Sequence, residues 1–141
     1  MVGVQRRDDR SETGSEASGD VSGAIKALSA ITLATHNMGP AVRFYRALGF
    51  VLRYGGEDAA FTSFHAGTAY LNLIAVPRDV AWSWWGRTIF HVENVDAMYE
   101  RAVSNGLKPQ FAPRDADWGE RFFHVTDPDG HELSFAHPLD E

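Results

Sequence analysis

The chemistry open to this chain rests on a short set of side chains: six histidines, a few acids, one isolated arginine and four tryptophans. His36, His65, His91, His124, His131 and His137 form no H-x-x-x-H or H-x-H grouping, so spacing alone assembles no metal site. His65, His131 and His137 fall in turn-like or surface stretches. His91 and His124 lie inside apolar, strand-like segments, where an imidazole can hydrogen-bond within a cleft or touch a ligand. Glu120, Glu132 and His91 are the residue types that general acid–base work needs, but no spacing specifies a carboxylate pair. Arg87 offers a permanently charged planar fork for a carboxylate or phosphate, with Glu120 or Glu132 as its alternative partner within the fold. Trp82, Trp84 and Trp85 precede it, and Trp118 lies in the stretch Ala112–Glu120. Such rings give a large contact area at low entropy cost, either to a bound planar molecule or to the protein itself. A Gly-rich phosphate loop, G-x-S-x-G and H-E-x-x-H are all missing.

The elements that must position these groups come as a repeat. Ile31 and Leu33 mark a short strand, Asn37 is a helix N-cap, and Pro40 sits in the first helical turn, where its missing N–H is harmless. Met38, Val42, Tyr45 and Leu48 share one face, and Gly49 ends the helix. The plan then returns. Ile89 and Val92 lie in a strand, Asn94 caps a helix with apolar Val95, Met98, Tyr99 and Ala102, and Asn105-Gly106 ends it. Asn37 to Asn94 and Gly49 to Gly106 are both 57 residues, so the two units share one register. After the first helix, strands are predicted at Phe50–Tyr54, Ala60–Phe64 and Ala69–Ala75. After the second they are predicted at Lys108–Phe111, Arg121–Thr126 and Glu132–Ala136, with a tight turn at Asp127-Pro128-Asp129-Gly130. The fold class is therefore α+β: two βαβββ modules at residues 24–75 and 87–138, joined by a linker at 76–86. Strand alternation places Phe61, Tyr70 and Asn72 as further cleft candidates.

Composition sets the outer bounds. The 141 residues are 44% hydrophobic and 23% charged, with a formal net charge of -6. An acidic balance without a basic run argues against a general nucleic-acid partner. The chain contains no cysteine, which excludes disulfides, thiolate metal sites and a Cys nucleophile. No apolar run reaches the roughly 20 residues of a membrane span, and the first twenty residues lack the apolar core of a secretory signal, so a cytoplasmic location is expected. Residues 1–23 are too polar for burial to offset the entropy of ordering them, and they read as a flexible tail.

Two stretches bear a resemblance. The run N-M-x-x-A-V-x-F-Y-R-A-L-G-F at Asn37–Phe50 resembles the opening module of the vicinal oxygen chelate superfamily, and F-H-V-T-D-P-D-G-H-E-L-S-F at Phe123–Phe135 resembles its closing strands. That group includes glyoxalase I, extradiol dioxygenases, fosfomycin-modifying enzymes and bleomycin-resistance proteins. The likeness covers about residues 26–138. It implies two modules whose sheets curl around a cleft with helices outside. It also implies a divalent metal held by His, Glu or Gln at one inward position on the first and last strand of each module. By register those positions are Ala30, Asn72, Arg87 and Ser134, none of them a good ligand, and Arg87 brings a fixed cation.

The expectation is accordingly a binding protein without cofactor, resembling the bleomycin-resistance branch. It would hold an aromatic or amphipathic metabolite or antibiotic, with Trp85, Arg87, His91, Asn72, Trp118, Phe61, Tyr70, His124, Glu132 and Ser134 as candidate contacts. The resemblance also implies a homodimer with clefts at the shared interface. The alternatives are a glyoxalase-like lyase, isomerase or dioxygenase with a displaced metal site, and a structural or regulatory dimer whose cleft is filled by its own side chains.

Overall fold

A computed structural model of the chain describes residues 23–140. The tail expected at 1–23 therefore lies, apart from Gly23, outside the described residues. Two four-stranded sheets carry one helix each. The first is built from β1 (Ala30–Thr35), α1 (Met38–Ala47), β2 (Val51–Tyr54), β3 (Phe61–Ala66) and β4 (Ala69–Ala75), with strand order β1-β4-β3-β2. The second repeats the plan with β5 (Arg87–His91), α2 (Val95–Ser104), β6 (Arg114–Asp115), β7 (Glu120–Thr126) and β8 (Glu132–Pro138), in order β5-β8-β7-β6. In each sheet the first strand pairs in parallel with the last, and the other pairs are antiparallel. Residues 76–86 between the sheets form neither helix nor strand.

The helices form where capping and periodicity place them. Asn94 accepts a hydrogen bond from the Ala97 N–H at 3.0 Å, which satisfies one of the orphan donors of the first turn. Asn37 holds the same extended position before α1 but makes no side-chain cap bond; the Thr35 hydroxyl instead exchanges 3.1 Å hydrogen bonds with its backbone. Gly49 and Gly106 end the helices at φ +99° and +83°, a region that costs glycine no Cβ clash. Met38, Val42, Tyr45 and Leu48 are buried as one face.

Alternation divides each strand between two faces. Leu33, Phe64, Leu71 and Leu73 of the first sheet pack in one core with Phe123, Val125, Leu133 and Phe135 of the second. Phe50 joins the halves, with its ring 5.1 Å from Phe90 and 6.4 Å from Phe135. The Tyr45 hydroxyl donates to the Asp127 carboxylate at 2.7 Å across 82 residues of sequence. The other face of each sheet lies away from the helices. Ile74, Tyr54 and Ile89, exposed apolar side chains, stand on these open faces.

One predicted strand is absent. Lys108–Phe111 forms no strand, and the fourth strand of the second sheet is the two-residue β6 further on. Pro109 within this stretch and Pro113 just beyond it supply no ladder N–H. The Gln110 N–H still reaches the His124 carbonyl at 2.8 Å, but the pairing does not propagate.

Candidate functional site

The parallel pairing of β5 with β8 puts Arg87 opposite Glu132 and Ile89 opposite Ser134, while β7 puts His124 opposite Ser134. Period-two alternation then gathers Arg87, Ile89, His91, Glu120, Phe122, His124, Glu132 and Ser134 on the open face of the second sheet. The connection between α2 and β7 folds over that face. The Phe111 ring lies 5.5 Å from Phe122 and 5.2 Å from His124, and Trp118 lies 5.3 Å from Phe122. A cavity of 240 Å³ remains between them, lined by Arg87, Ile89, Ser134, Phe122, His124 and Glu120 of the strands with Arg114 and Trp118 of the connection.

The polar groups of this face are paired. Arg87 forms an ion pair with Glu132, and His124 lies 3.4 Å from the same carboxylate. His91 and Trp118 both hydrogen-bond to Glu120, at 2.6 and 3.0 Å. Burial pushes the Glu132 carboxyl up, but the hydrogen bond and charge of Arg87 outweigh it and hold the group below the usual carboxylate range. Hydrogen bonding to His91 holds Glu120 low as well. Burial, and then the nearby charge of Arg87, keep the His124 imidazole below its ordinary range, with Glu132 opposing.

Not all the residues expected in a cleft gather here. Arg87, Trp118, His124 and Ser134 line the cavity, and His91 and Glu132 adjoin it through their pairs. Asn72, Tyr70 and Phe61 stand on the open face of the first sheet. There Asn72 donates to the Thr32 hydroxyl at 3.2 Å, Tyr70 lies under Arg53 at 4.1 Å, and Phe61 packs beside Tyr54. Trp85 is outside the cavity lining: its indole N–H donates to His131 Nδ1 at 2.7 Å.

That contact corrects the expectation of a surface His131. The residue is 4% exposed. Its Nε2 meets the Ala34 carbonyl at 2.8 Å, and Trp82 stacks on its ring at 5.3 Å. Because an indole N–H can only donate, Nδ1 accepts and the proton sits on Nε2. Arg114, Ile89 and Phe122 were missed by sequence reasoning. For Ile89 and Phe122 the signal was present, since each is two residues from a candidate on the same strand. Arg114 sits in a stretch with no periodicity to read.

A larger opening of 440 Å³ lies at the β1–α1 junction, lined by residues that include His36, Arg78, Trp82 and Asp129. Several of its polar groups already bond each other: His36 to the Val80 carbonyl at 2.7 Å, Trp82 to the Asp129 carbonyl at 3.0 Å, and the His36 N–H to Asp129 at 2.9 Å. It shares no lining residue with the cavity on the second sheet.

The donor set expected of a metal site does not fit a divalent ion. Ala30 has no donor atom, Arg87 is a cation engaged with Glu132, and Ser134 offers a neutral hydroxyl. Among the described residues no three His, Asp or Glu side chains converge as a metal site requires.

Comparison with known proteins agrees with this architecture. A stretch of 50 residues, 36% of this chain, is 40% identical to an uncharacterised protein of Mycobacterium bovis, of which it spans 33%. The chain thus matches about a third of that relative's length. Among solved structures, a bleomycin-binding protein complexed with bleomycin superposes with a TM-score of 0.64 at 22% identity, over 80% of this chain and 98% of that one. A lactoylglutathione lyase from Agrobacterium tumefaciens superposes with a TM-score of 0.65 at 18% identity, over 79% and 93%. At such identities the likeness concerns the fold, which serves a binding protein and an enzyme alike. Among the described residues no helix is long and apolar enough to cross a membrane. The family model described as Glyoxalase/Bleomycin resistance protein/Dioxygenase superfamily matches residues 27–135, and this chain belongs to that superfamily.

Proposed function

We propose that the chain binds a small molecule on the open face of its second sheet, without a metal, and sequesters it rather than transforming it. The observation that carries this reading is the 240 Å³ cavity, with aromatic walls at Trp118 and Phe122 and charged groups at its rim. An apolar concavity with a few convergent polar groups is the usual make-up of such a site. The ligand class is an aromatic or amphipathic metabolite or antibiotic, in keeping with the bleomycin complex of a structural neighbour. We further propose a homodimer in which the first sheet's open face covers the cavity of the partner. Exposed Ile74, Tyr54 and Ile89 on the open faces support it.

The test is calorimetric titration of chelator-treated protein with a panel of aromatic metabolites and antibiotics. The expected result is saturable binding with one site per chain, unchanged by Zn²⁺, Ni²⁺, Mn²⁺ or Fe²⁺. Tight stoichiometric metal that is lost on His91→Ala or Glu132→Ala would overturn the metal-free reading. A second reading, catalysis, draws on the two imidazole–carboxylate pairs, His91 with Glu120 and His124 with Glu132. It is the weaker one, because among the described residues no third donor joins either pair to make a metal site.

A further inference from the structure

We infer that the cavity selects an anion: a planar aromatic ring bearing a carboxylate, with the carboxylate seated on Arg114. The inference rests on the reading of this cavity as a ligand site and names what it takes. The cavity's own charges decide it. Arg87 is neutralised by Glu132, and Glu120 is held by His91 and the Trp118 indole. Among the described residues, Arg114 is the one charged lining group with neither a hydrogen bond nor an ion pair; its contacts are with aromatic rings. None of its five N–H donors is spent on a described residue.

Aromatic rings hold it in place. The guanidinium carbon lies 3.9 Å from the centroid of Phe111 and 5.5 Å from that of Phe122. Stacking uses the face of the guanidinium and leaves the donors at its edge, where a carboxylate can take two in parallel. The charge is felt inside the cavity, since Arg114 is one of the groups that keep the His124 imidazole below its ordinary range, behind burial and Arg87. A cationic ligand laid against Phe111 and Phe122 would meet the Arg114 guanidinium, which no carboxylate of the described residues pairs. At 240 Å³ the space is smaller than the roughly 300–1,000 Å³ of a full ligand pocket. It suits a one- or two-ring molecule laid against Trp118, which is 68% exposed.

The probes are 2-naphthoate, its neutral carboxamide and the cation 2-naphthylmethylammonium, titrated calorimetrically into the full chain at low and high salt. The expected order is naphthoate at least tenfold tighter than carboxamide, with the cation weakest, and a naphthoate affinity that falls with salt while the carboxamide's does not. Arg114→Gln should narrow the naphthoate–carboxamide gap to less than twofold, and Arg114→Lys should restore part of it. Equal binding of naphthoate and carboxamide, or an Arg114→Gln protein that keeps the tenfold preference, overturns the anion inference and leaves the cavity a ligand site. If none of the three binds the wild-type protein, both this inference and the proposed function fall.

Discussion

At the scale of single residues the site is a balance of charges on one sheet face, and His124 reports it. Its imidazole is disfavoured as a cation by burial, then by Arg87 and Arg114, and favoured by Glu132. Glu132→Gln removes the favouring charge, so the His124 titration followed by NMR should move further down. A rise would show that Glu132 acts on it chiefly through Arg87. The same asymmetry predicts a pH dependence of stability. Folded His124 binds its proton less readily than the unfolded chain does, so its contribution is intact above the ordinary imidazole range. Stability is then lost as pH falls through that range toward the lower folded value. Urea midpoints compared between about pH 8 and pH 5 should fall less for His124→Gln than for the wild type. An equal fall in both proteins would place the acid sensitivity elsewhere.

At the scale of elements, specific hydrogen bonds join the two modules. Tyr45 of α1 donates to Asp127 at the β7–β8 turn, whose carboxylate also receives the backbone N–H groups of Asp129 and His131 at 2.9 Å. Burial, with the Asp127 charge beside it, holds the tyrosine pKa well above its usual value, so the hydroxyl remains a donor. Tyr45→Phe deletes that donor and leaves one carboxylate oxygen short, which should cost about 1–3 kcal/mol by urea denaturation. No measurable loss would mean that water replaces the hydroxyl. The β2–β3 connection gives a second case. Gly55 sits at φ +91°, and an added Cβ would meet the Phe61 carbonyl oxygen at 2.5 Å; Gly56, at φ +145°, has open space. Gly55→Ala should therefore destabilise by more than about 1 kcal/mol, and by more than Gly56→Ala. Equal costs would point to dihedral strain alone. Both helices were legible from caps and a 3.6-residue period, because those signals are local. The two-residue β6 was not, since Pro109 and Pro113 break the ladder and only contact with β7 decides where pairing resumes. His131 was misplaced for the same reason. Its surroundings come from Ala34, Trp82 and Trp85, all far away in sequence.

At the scale of the whole molecule, the core is shared but the open faces are not. Contacts between the modules include the rings of Phe50, Phe90 and Phe135 and the hydrogen bonds Tyr45–Asp127, His36–Asp129, His131–Ala34 and Asn105–Ala47. The cavity is lined only by residues of the second module and its connections. Ile89 in the cavity wall is 58% exposed and Ile74 on the first sheet is 42% exposed, apolar area that a second copy laid on these faces would bury. If two copies cover these faces reciprocally, each cleft takes its first-sheet face from one protomer and its second-sheet face from the other. Sedimentation should then find a dimer for the wild type. Ile74→Lys or Ile89→Glu alone, each of which buries a charge at both copies of the interface, should shift it toward monomer. The informative measurement is the mixture. A heterodimer of the two variants rebuilds one cleft with both native faces and sets Lys against Glu in the other. Mixing should therefore restore dimer and return ligand binding to about half a site per chain. A wild-type protein that stays monomeric while binding a full equivalent of ligand would show that the second sheet's cavity is complete in a single copy.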